Sequence, residues 1–550
     1  MAGQAPAAVT APRPGRAVLV ALPLSFLGVF FLWPLVSIIW TGLAPGGAFD
    51  PAAFTEVLTD GDLLGVAWFT LWQATVSTAL TLVVAMPGAY VFARYEFPGK
   101  RLLRAAATIP FVLPTMVVGT AFLALIGPHG ALGFRLDGTV GAILIAHVFF
   151  NYAVVLRTVG GLWSHLDPRI EEAARTLGAG RWRTFTSVTL PLLRPAIAAA
   201  ASIVFLFTFT SFGIVLILGG AGTATLEVEI YRQTSTLFDL PVAAVLAILQ
   251  VVGVTAVLLA YSRYQERNAL EQSLRPAVET SRRPRTAGER LLVGGVLTSM
   301  ILLLGAPPAV LVQRSLDTGD GWGLGFYRAL GEQGRTAAQF VEAGGAVRNS
   351  LGFALAATVI ALVVGITAAV VVASGRGRSS RWFDALLMLP LGTSAVTIGF
   401  GFIVALDAPV DLRASPWLVP LAHALVAIPF VVRSLVPVMR SVRSRLREAA
   451  AVLGAAPGRV WREIDLPIVS RAAAVGAGFA MAVSLGEFGA TAFVARPDTP
   501  TMPVAIFRYL GRPGEVNFGR AMAMSVVLMV VTAAAVALIE RFRAPGIGDF

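Results

Sequence analysis

The sequence predicts an all-α membrane protein, a polytopic helical bundle with about twelve transmembrane helices in two parallel six-helix repeats. Composition gives the first reason. Hydrophobic residues make up 56% of the 550 residues, and charged residues make up only 13%. A soluble domain carries roughly 25% charged residues, so this chain has too little charge to cover a surface in water.

Twelve apolar stretches are long enough to cross a bilayer as helices. In the first half they comprise residues 17–41, 67–93, 105–126, 139–163, 196–219 and 241–262. In the second half they comprise residues 291–313, 349–374, 382–406, 415–439, 472–494 and 521–540. The first stretch is longer than the apolar core of a signal peptide, so it is interpreted as an uncleaved span.

The distribution of basic residues predicts the orientation. With the N-terminus inside, 32 of the 43 lysines and arginines fall on the inner side of the spans and 11 on the outer side. The outer segment 42–66 has no basic residue but carries Asp50, Glu56, Asp60 and Asp62. Because basic residues accumulate in cytoplasmic loops, the chain is predicted to lie in a bacterial inner membrane with both termini cytoplasmic. This topology accounts for the net charge of +12, so no nucleic-acid partner is predicted.

An internal duplication relates the two halves. Matching residues in the two halves first lie 280 positions apart, as Ile109–Pro110 and Leu389–Pro390 do. After an outer loop that is shorter in the second half, they lie 276 positions apart: His147 with His423, Phe212–Gly213 with Phe488–Gly489, and Arg232 with Arg508. Such parallel repeats pack about an axis along the membrane normal, with a pathway between them. The predicted domains are a first six-span repeat at 1–264, a polar cytoplasmic linker at 265–289 and a second repeat at 290–550.

The loop between the fourth and fifth spans has one pattern in both halves. The pattern is Glu-Ala-Ala, three residues, Gly, nine residues, Val or Ile, one residue, and Leu-Pro. In the first copy these residues are Glu172, Ala173, Ala174, Gly178, Val188, Leu190 and Pro191. In the second copy they are Glu448, Ala449, Ala450, Gly454, Ile464, Leu466 and Pro467. Asp167 before Pro168 predicts a helix start, and the glycines suit the left-handed residue after a helix end. The small alanines let another surface approach, so each loop helix is predicted to dock on a partner.

This spacing resembles the EAA loop of ABC-importer membrane subunits, with Val188 replacing the isoleucine of the family pattern in the first copy. The resemblance implies that the two loops couple the chain to two separate ABC ATPase subunits, which bind the ATP and magnesium. It also implies an extracytoplasmic solute-binding protein and transport by alternating access. The sequence itself has no phosphate-binding loop.

No catalytic group, cofactor site or metal site is predicted in this chain. The absence of cysteine excludes disulfides, thiolate metal sites and cysteine nucleophiles, and the four histidines are scattered. The predicted partners are the importer subunits and membrane lipid. An ion-coupled secondary transporter is the alternative from another class, and the two loops argue against it because such a carrier needs no ATPase.

The whole chain resembles the fused thiamine-permease group in its twelve-span length and in the segments around Phe212-Gly213 and Glu487-Phe488-Gly489. The second segment also resembles sulfate and molybdate permeases, and ferric-iron permeases share the fused layout. Glu487 lies in an apolar span, where a carboxylate is costly. Two interpretations stay open: Glu487 attracts a cation such as thiamine, or it forms part of a gate or an interhelical hydrogen bond. These five residues are predicted to lie at the substrate pathway or its gate.

Overall fold

The chain is α-helical, with no β-strand, throughout the part that the computed structural model describes. That part comprises residues 13–128, 130–267, 280–319, 321–331, 343–375, 377–408, 410–441 and 444–540. Both chain ends and residues 268–279 of the predicted linker lie outside it.

The helices of the first half are α1 (Arg13–Leu27), α2 (Trp33–Leu43), α3 (Ala52–Thr59), α4 (Gly61–Arg94), α5 (Lys100–Ala106), α6 (Ile109–Val112), α7 (Thr115–Ile126), α8 (Val140–His165), α9 (Pro168–Thr176), α10 (Arg181–Thr184), α11 (Leu190–Phe209), α12 (Gly213–Leu218), α13 (Leu226–Arg232) and α14 (Leu240–Arg267). Those of the second half are α15 (Ala287–Leu316), α16 (Gly325–Ala329), α17 (Ala343–Ser374), α18 (Arg378–Met388), α19 (Ala395–Ala405), α20 (Leu418–Ser441), α21 (Ser444–Val452), α22 (Pro457–Val460), α23 (Leu466–Gly486), α24 (Thr491–Val494), α25 (Met502–Leu510) and α26 (Glu515–Glu540).

The prediction of a polytopic helical bundle is confirmed. Ten helices of the described part are long and apolar enough to cross a membrane, and two bent pairs bring the number to twelve. The bent pairs are Lys100–Val112 with Thr115–Ile126, at 100°, and Arg378–Gly392 with Ala395–Ala405, at 96°. Pro114 stands at the first bend, where its missing N–H prevents a continuous helix.

The predicted spans 196–219 and 472–494 are wrong at both ends. The helices begin earlier, at Leu190 and Leu466, and stop at Phe209 and Gly486. A short non-helical break follows each of them before α12 or α24 begins. Hydropathy does not reveal these breaks, because the apolar run continues across them while the backbone changes direction.

The described residues form two compact units, and each draws on both halves of the chain. One unit comprises residues 13–54, 231–248 and 327–540; the other comprises residues 55–230 and 249–326. In the first unit, α1 packs on α17 and α2 packs on α19, where Trp33 Nε1 donates to Ala405 O at 3.1 Å. In the second unit, α15 packs on α7 and α4. Each half therefore contributes its first span to the other half's unit.

Stripes of small residues allow the longest helices to approach closely. The contact of α4 with α8 and that of α17 with α20 are the most extensive in their units. The buried small residues are Ala74, Ser77, Thr81, Ala85 and Gly88 on α4, and Ser350, Ala354, Ala357, Ala361, Gly365 and Ala368 on α17. Small side chains promote helix association in lipid because apolar surface alone gives no advantage there.

The described end of the linker lies against the end of α4. Arg282 N donates to Arg94 O at 3.0 Å, and Glu96 N donates to Arg282 O at 2.9 Å. Burial alone would raise the pKa of Glu96, but hydrogen bonds from Lys100 and Ser281, with nearby positive charge, hold that pKa below its usual range. The linker is thus fixed to the first half by backbone and side-chain contacts.

We predict that Gly399→Ala destabilises the protein by about 1–3 kcal/mol, the usual cost of overpacking. A Cβ at Gly399 would lie 2.8 Å from the Cα and the carbonyl oxygen of Ala490, both backbone atoms that cannot rotate away. The measurement is the thermal unfolding of the purified chain in detergent. Gly352→Ala is the matched control, because a Cβ at that helical position meets nothing within 4 Å. An equal change in both variants would contradict the packing argument.

Candidate functional site

The first of the two matching loops contains a capped helix that ends at a left-handed glycine. The carboxylate of Asp167 accepts a hydrogen bond from Arg169 N at 3.0 Å, which caps the start of α9. Gly178 has φ +87°, and Ala179 N donates back to Ala174 O at 3.1 Å. The helix start and helix end predicted from the sequence are both present.

The second loop repeats this geometry. Gly454 has φ +81° after α21, and Ala455 N donates to Ala450 O at 2.9 Å. In both loops a five-residue π-helical turn, Phe185–Thr189 or Trp461–Asp465, precedes the Leu-Pro pair that opens α11 or α23. A proline in a helix lacks the N–H and crowds the carbonyl four residues back. The wider π turn accommodates Pro191 and Pro467 without ending the helix.

A partly buried ion pair fixes the first loop to its bundle. Glu171 Oε1 accepts from Arg94 Nη2 at 2.9 Å and from Thr189 Oγ1 at 3.0 Å, while Arg94 Nη1 donates to Leu166 O at 3.0 Å. These bonds join the ends of α4 and α8 to α9 and to the start of α11. Removing one partner of such a buried pair typically costs about 3–5 kcal/mol.

Sequence reasoning singled out Glu172 and did not identify Glu171. The structure places Glu172 and Glu448 on the exposed surface of their helices, whereas Glu171 makes the anchoring contacts. At the 276 offset the second loop has Arg447 in place of Glu171. A comparison of the two repeats therefore gave no signal for this residue.

Both loops expose large apolar side chains at equivalent positions. Leu177 is 89% exposed and Leu453 is 86% exposed, each directly before the left-handed glycine. Ile170 and Leu446, also equivalent, are exposed to about half. Ala173 and Ala449 are exposed, and Ala174 and Ala450 half-buried. The exposed leucine directly before each glycine is a feature that the sequence repeat already shows, and sequence reasoning did not single it out.

The two helix breaks lie beside the bends of the third spans. We call residues 210–212 the first break and residues 487–490 the second break. A Cβ at Gly213 would lie 2.7 Å from Thr115 Oγ1, and a Cβ at Gly489 would lie 3.2 Å from Ala395 Cβ. Thr115 and Ala395 are the first residues of α7 and α19, at an offset of 280. The same contact therefore occurs in each unit.

Buried histidines tie the breaks to neighbouring helices. His147 is hydrogen-bonded to Ser77 Oγ through Nδ1 at 3.0 Å and to Ser211 Oγ through Nε2 at 2.9 Å. His423 is hydrogen-bonded to Ser484 Oγ at 2.7 Å and to Thr491 Oγ1 at 2.7 Å. Both nitrogens of each ring are occupied, so these histidines hold the breaks in place. In hydrocarbon, polar groups freed by a break need such internal partners.

Glu487 caps the backbone of its own break. Its Oε1 accepts from Ala490 N at 2.9 Å, and its carbonyl oxygen accepts from Thr491 Oγ1 at 3.1 Å. The hydrogen bonds are local and do not link two spans. Within the described residues no arginine, lysine or histidine forms an ion pair with this carboxylate.

Four aromatic side chains form a cluster that includes Phe488, the residue directly after Glu487. Phe488 and Phe507 have ring centroids 5.5 Å apart, and Tyr231 lies 6.4 Å from Phe507 and 5.5 Å from Phe493. Phe488 is buried, and the other three rings are half-buried. Sequence reasoning missed this cluster, although Tyr231 and Phe507 occupy equivalent positions at the 276 offset. No group of three potential metal ligands occurs within the described residues.

Comparison with known proteins places these features in a family. Residues 85–269 match the family described as binding-protein-dependent transport system inner membrane component. The thiamine transport system permease protein ThiP of Brucella suis biovar 1 is 29% identical over 517 residues, which are 91% of this chain and 91% of that protein. ThiP of Escherichia coli K12 is 29% identical over 83% of this chain and 85% of that protein.

A relative with a different named substrate matches part of the chain at higher identity. The sulfate transport system permease protein CysT of Escherichia coli K12 is 33% identical over 197 residues, which are 34% of this chain and 70% of that protein. The chain belongs to the binding-protein-dependent transport system inner membrane components, and it is a multi-pass permease subunit of an ABC importer rather than an enzyme.

Proposed function

We propose that this permease carries thiamine from an extracytoplasmic binding protein to the cytoplasm, driven by two separate ATPase subunits that bind ATP and magnesium. The full-length similarity to permeases named for thiamine transport supports the substrate. Ferric iron, from the shared fused layout, and an oxyanion, from the partial similarity to the sulfate permease, are the competing substrates.

The observation that carries the substrate proposal is the aromatic cluster beside Glu487. Thiamine is a permanent cation built on two aromatic rings. Aromatic faces attract cations and stack on flat rings, and a carboxylate inside a membrane favours a positive charge. The capping bond from Ala490 N is made to one carboxylate oxygen, Oε1.

The proposed orientation places both loops on the cytoplasmic side with the two chain termini. The uneven division of basic residues supports it. Accordingly, Phe49 and Asp60, which lie between the first two spans, face the outside. The binding protein would deliver its solute to that side.

The proposed docking surface for the ATPases is the exposed apolar side of α9 and α21. Leu177 and Leu453 are well suited to contacts that exclude water, because they are almost fully exposed here. Two equivalent loops imply one contact with each of two ATPase subunits. Glu172 and Glu448, exposed on the same helices, add a polar edge to those contacts.

Two rigid helices connect the docking loops to the breaks. The stretches Arg181–Phe209 and Gly458–Gly486 each run as 29 helical residues, about 43 Å at 1.5 Å per residue. Each begins just after a left-handed glycine and ends at a break. Movement of a loop on its ATPase would therefore be transmitted along α11 or α23 to the break, where Glu487 or Phe212 lies. This is the proposed route from ATP hydrolysis to alternating access.

We predict that Gly178→Val lowers substrate-stimulated ATPase activity several-fold in the complex reconstituted into liposomes. A β-branched residue resists the φ of +87° found at Gly178, at a cost of about 1–2 kcal/mol. The end of α9, and Leu177 with it, would then be displaced from the ATPase.

The control for that variant is Gly180→Val, two residues further along the loop. Gly180 has φ −64°, which valine adopts readily, and a Cβ at either glycine meets nothing within 4 Å. The two variants differ only in backbone conformation. Full stimulation in Gly178→Val, with a normally assembled complex, would contradict the docking assignment.

We predict that Glu487→Gln slows thiamine uptake by roughly tenfold, the effect of losing about 1.4 kcal/mol of attraction. Glutamine keeps the oxygen that caps Ala490 N and removes only the charge. The measurement is uptake of labelled thiamine by proteoliposomes that contain the complex and its binding protein. Glu515→Gln, at an exposed acid in the first turn of α26, is the control.

The same assay separates the substrate from the architecture. Unchanged thiamine uptake in Glu487→Gln would leave only the capping role for this residue. Uptake of iron or sulfate without thiamine would reject the substrate proposal and leave the importer assignment in place.

A further inference from the structure

A cavity of about 730 Å³ lies where the first loop, the linker and the ends of two spans meet. It is enclosed by α4 on one side, by the loop from α9 to the π turn on another, and by the linker with the start of α15 on the third. Arg282 closes one corner, because its guanidinium donates to Glu289 Oε1 at 2.6 Å and lies 5.5 Å from the ring centroid of Tyr95. A capping box between Thr286 and Glu289 fixes the start of α15.

One end of the cavity is basic. Both acidic residues in its lining are already occupied: Glu171 by Arg94 and Thr189, and Glu289 by Arg282 and two backbone N–H groups. Arg175 reaches Glu171 only at 3.9 Å, and Arg181 forms no ion pair within the described residues. Positive charge therefore remains at this end of the cavity.

A buried donor without an acceptor also belongs to a residue that lines the cavity. Trp163 lines it, is only 3% exposed, and its indole Nε1 has no acceptor within the described part of the chain. A buried donor without an acceptor costs about 1–3 kcal/mol. An oxygen-bearing ligand in the cavity would remove that cost.

The other end of the cavity is apolar and open at the surface of the helices. Val83 and Leu292 line it and are exposed, Val83 to 70%. Val83 precedes Arg94 by eleven residues on one helix, which places it about 16 Å along the axis from the basic end. That distance extends from the headgroup level into the hydrocarbon.

We propose that this cavity binds one anionic phospholipid, with its phosphate at Arg175 and Arg181, an ester or phosphate oxygen at Trp163, and its acyl chains along Val83 and Leu292. Basic pockets between spans on the cytoplasmic side select anionic headgroups. The assignment to the cytoplasmic leaflet rests on the orientation given above. A soluble phosphorylated compound offers the same charge but leaves the apolar end uncovered.

The site would act on coupling, because Arg175 and Arg181 flank Gly178 in the first loop. A bound phosphate would fix the end of α9 relative to α4 and α15. The described end of the linker borders the first loop. The lipid would therefore act on that loop.

The test is a lipid titration of the purified full-length chain followed by native mass spectrometry. We expect one phosphatidylglycerol to bind roughly tenfold or more tightly than phosphatidylcholine. The double variant Arg175→Gln with Arg181→Gln should reduce this preference to within about twofold. Arg183→Gln, an exposed arginine on the same short helix that does not line the cavity, should retain it.

Two further measurements complete the test. Trp163→Phe keeps the aromatic packing, removes the donor, and should weaken phosphatidylglycerol binding. Glycerol 3-phosphate added to the unmodified chain should not displace the lipid. Any one of three results would overturn the lipid site. These are equal binding of both lipids, an equal loss of lipid preference in Arg183→Gln, and complete displacement of the lipid by glycerol 3-phosphate. The readout needs neither ATPase nor substrate, so it is independent of the thiamine proposal.

Discussion

A backbone that crosses hydrocarbon must satisfy its own hydrogen bonds, and the arrangement of this permease depends on that constraint. Helices meet it along most of each span. Where a span breaks, side chains must replace the missing bonds. His147 ties Ser211 in the first break to Ser77 on α4, His423 bridges the second break from Ser484 to Thr491, and Glu487 caps Ala490. The breaks thus occur only where polar side chains support them, and those are the places where the predicted pathway residues lie.

The same constraint explains how a signal could travel through the protein. A continuous helix is stiff, so a 29-residue helix such as Arg181–Phe209 moves as one body. The Leu-Pro pairs would interrupt these helices, and the π turns keep them continuous. At the loop end, the Arg94–Glu171 pair joins the moving helix to α4 and α8. Continuous helices therefore connect the proposed docking surface to the breaks.

Sequence reasoning identified what is local or periodic. Apolar length predicted the number of spans, counting each bent pair as one, but missed the breaks after Phe209 and Gly486. The residue types at Asp167, Gly178 and Gly454 predicted the start of the first loop helix and the ends of both. It could not identify contacts that join distant parts of the chain. Glu171 lies 77 residues from Arg94 and is not repeated in the second loop, and Tyr231 meets Phe493 only in the folded protein. Hydropathy also could not show that the first span of each half packs in the unit of the other half. An apolar helix face can pack against helices of either half.

The central claim is that α9 and α21 are the surfaces through which a separate ATPase drives this permease. It is tested most directly by disulfide cross-linking, because the chain contains no native cysteine. Single variants Leu177→Cys, Leu453→Cys and Phe49→Cys would be assembled with ATPase subunits that carry one cysteine in the proposed docking cleft. We predict cross-links from both leucine positions, altered in yield by ATP, and none from Phe49 on the opposite side of the membrane. The claim would be contradicted if neither leucine position formed a cross-link in an assembled complex, or if the cysteine at position 49 formed one.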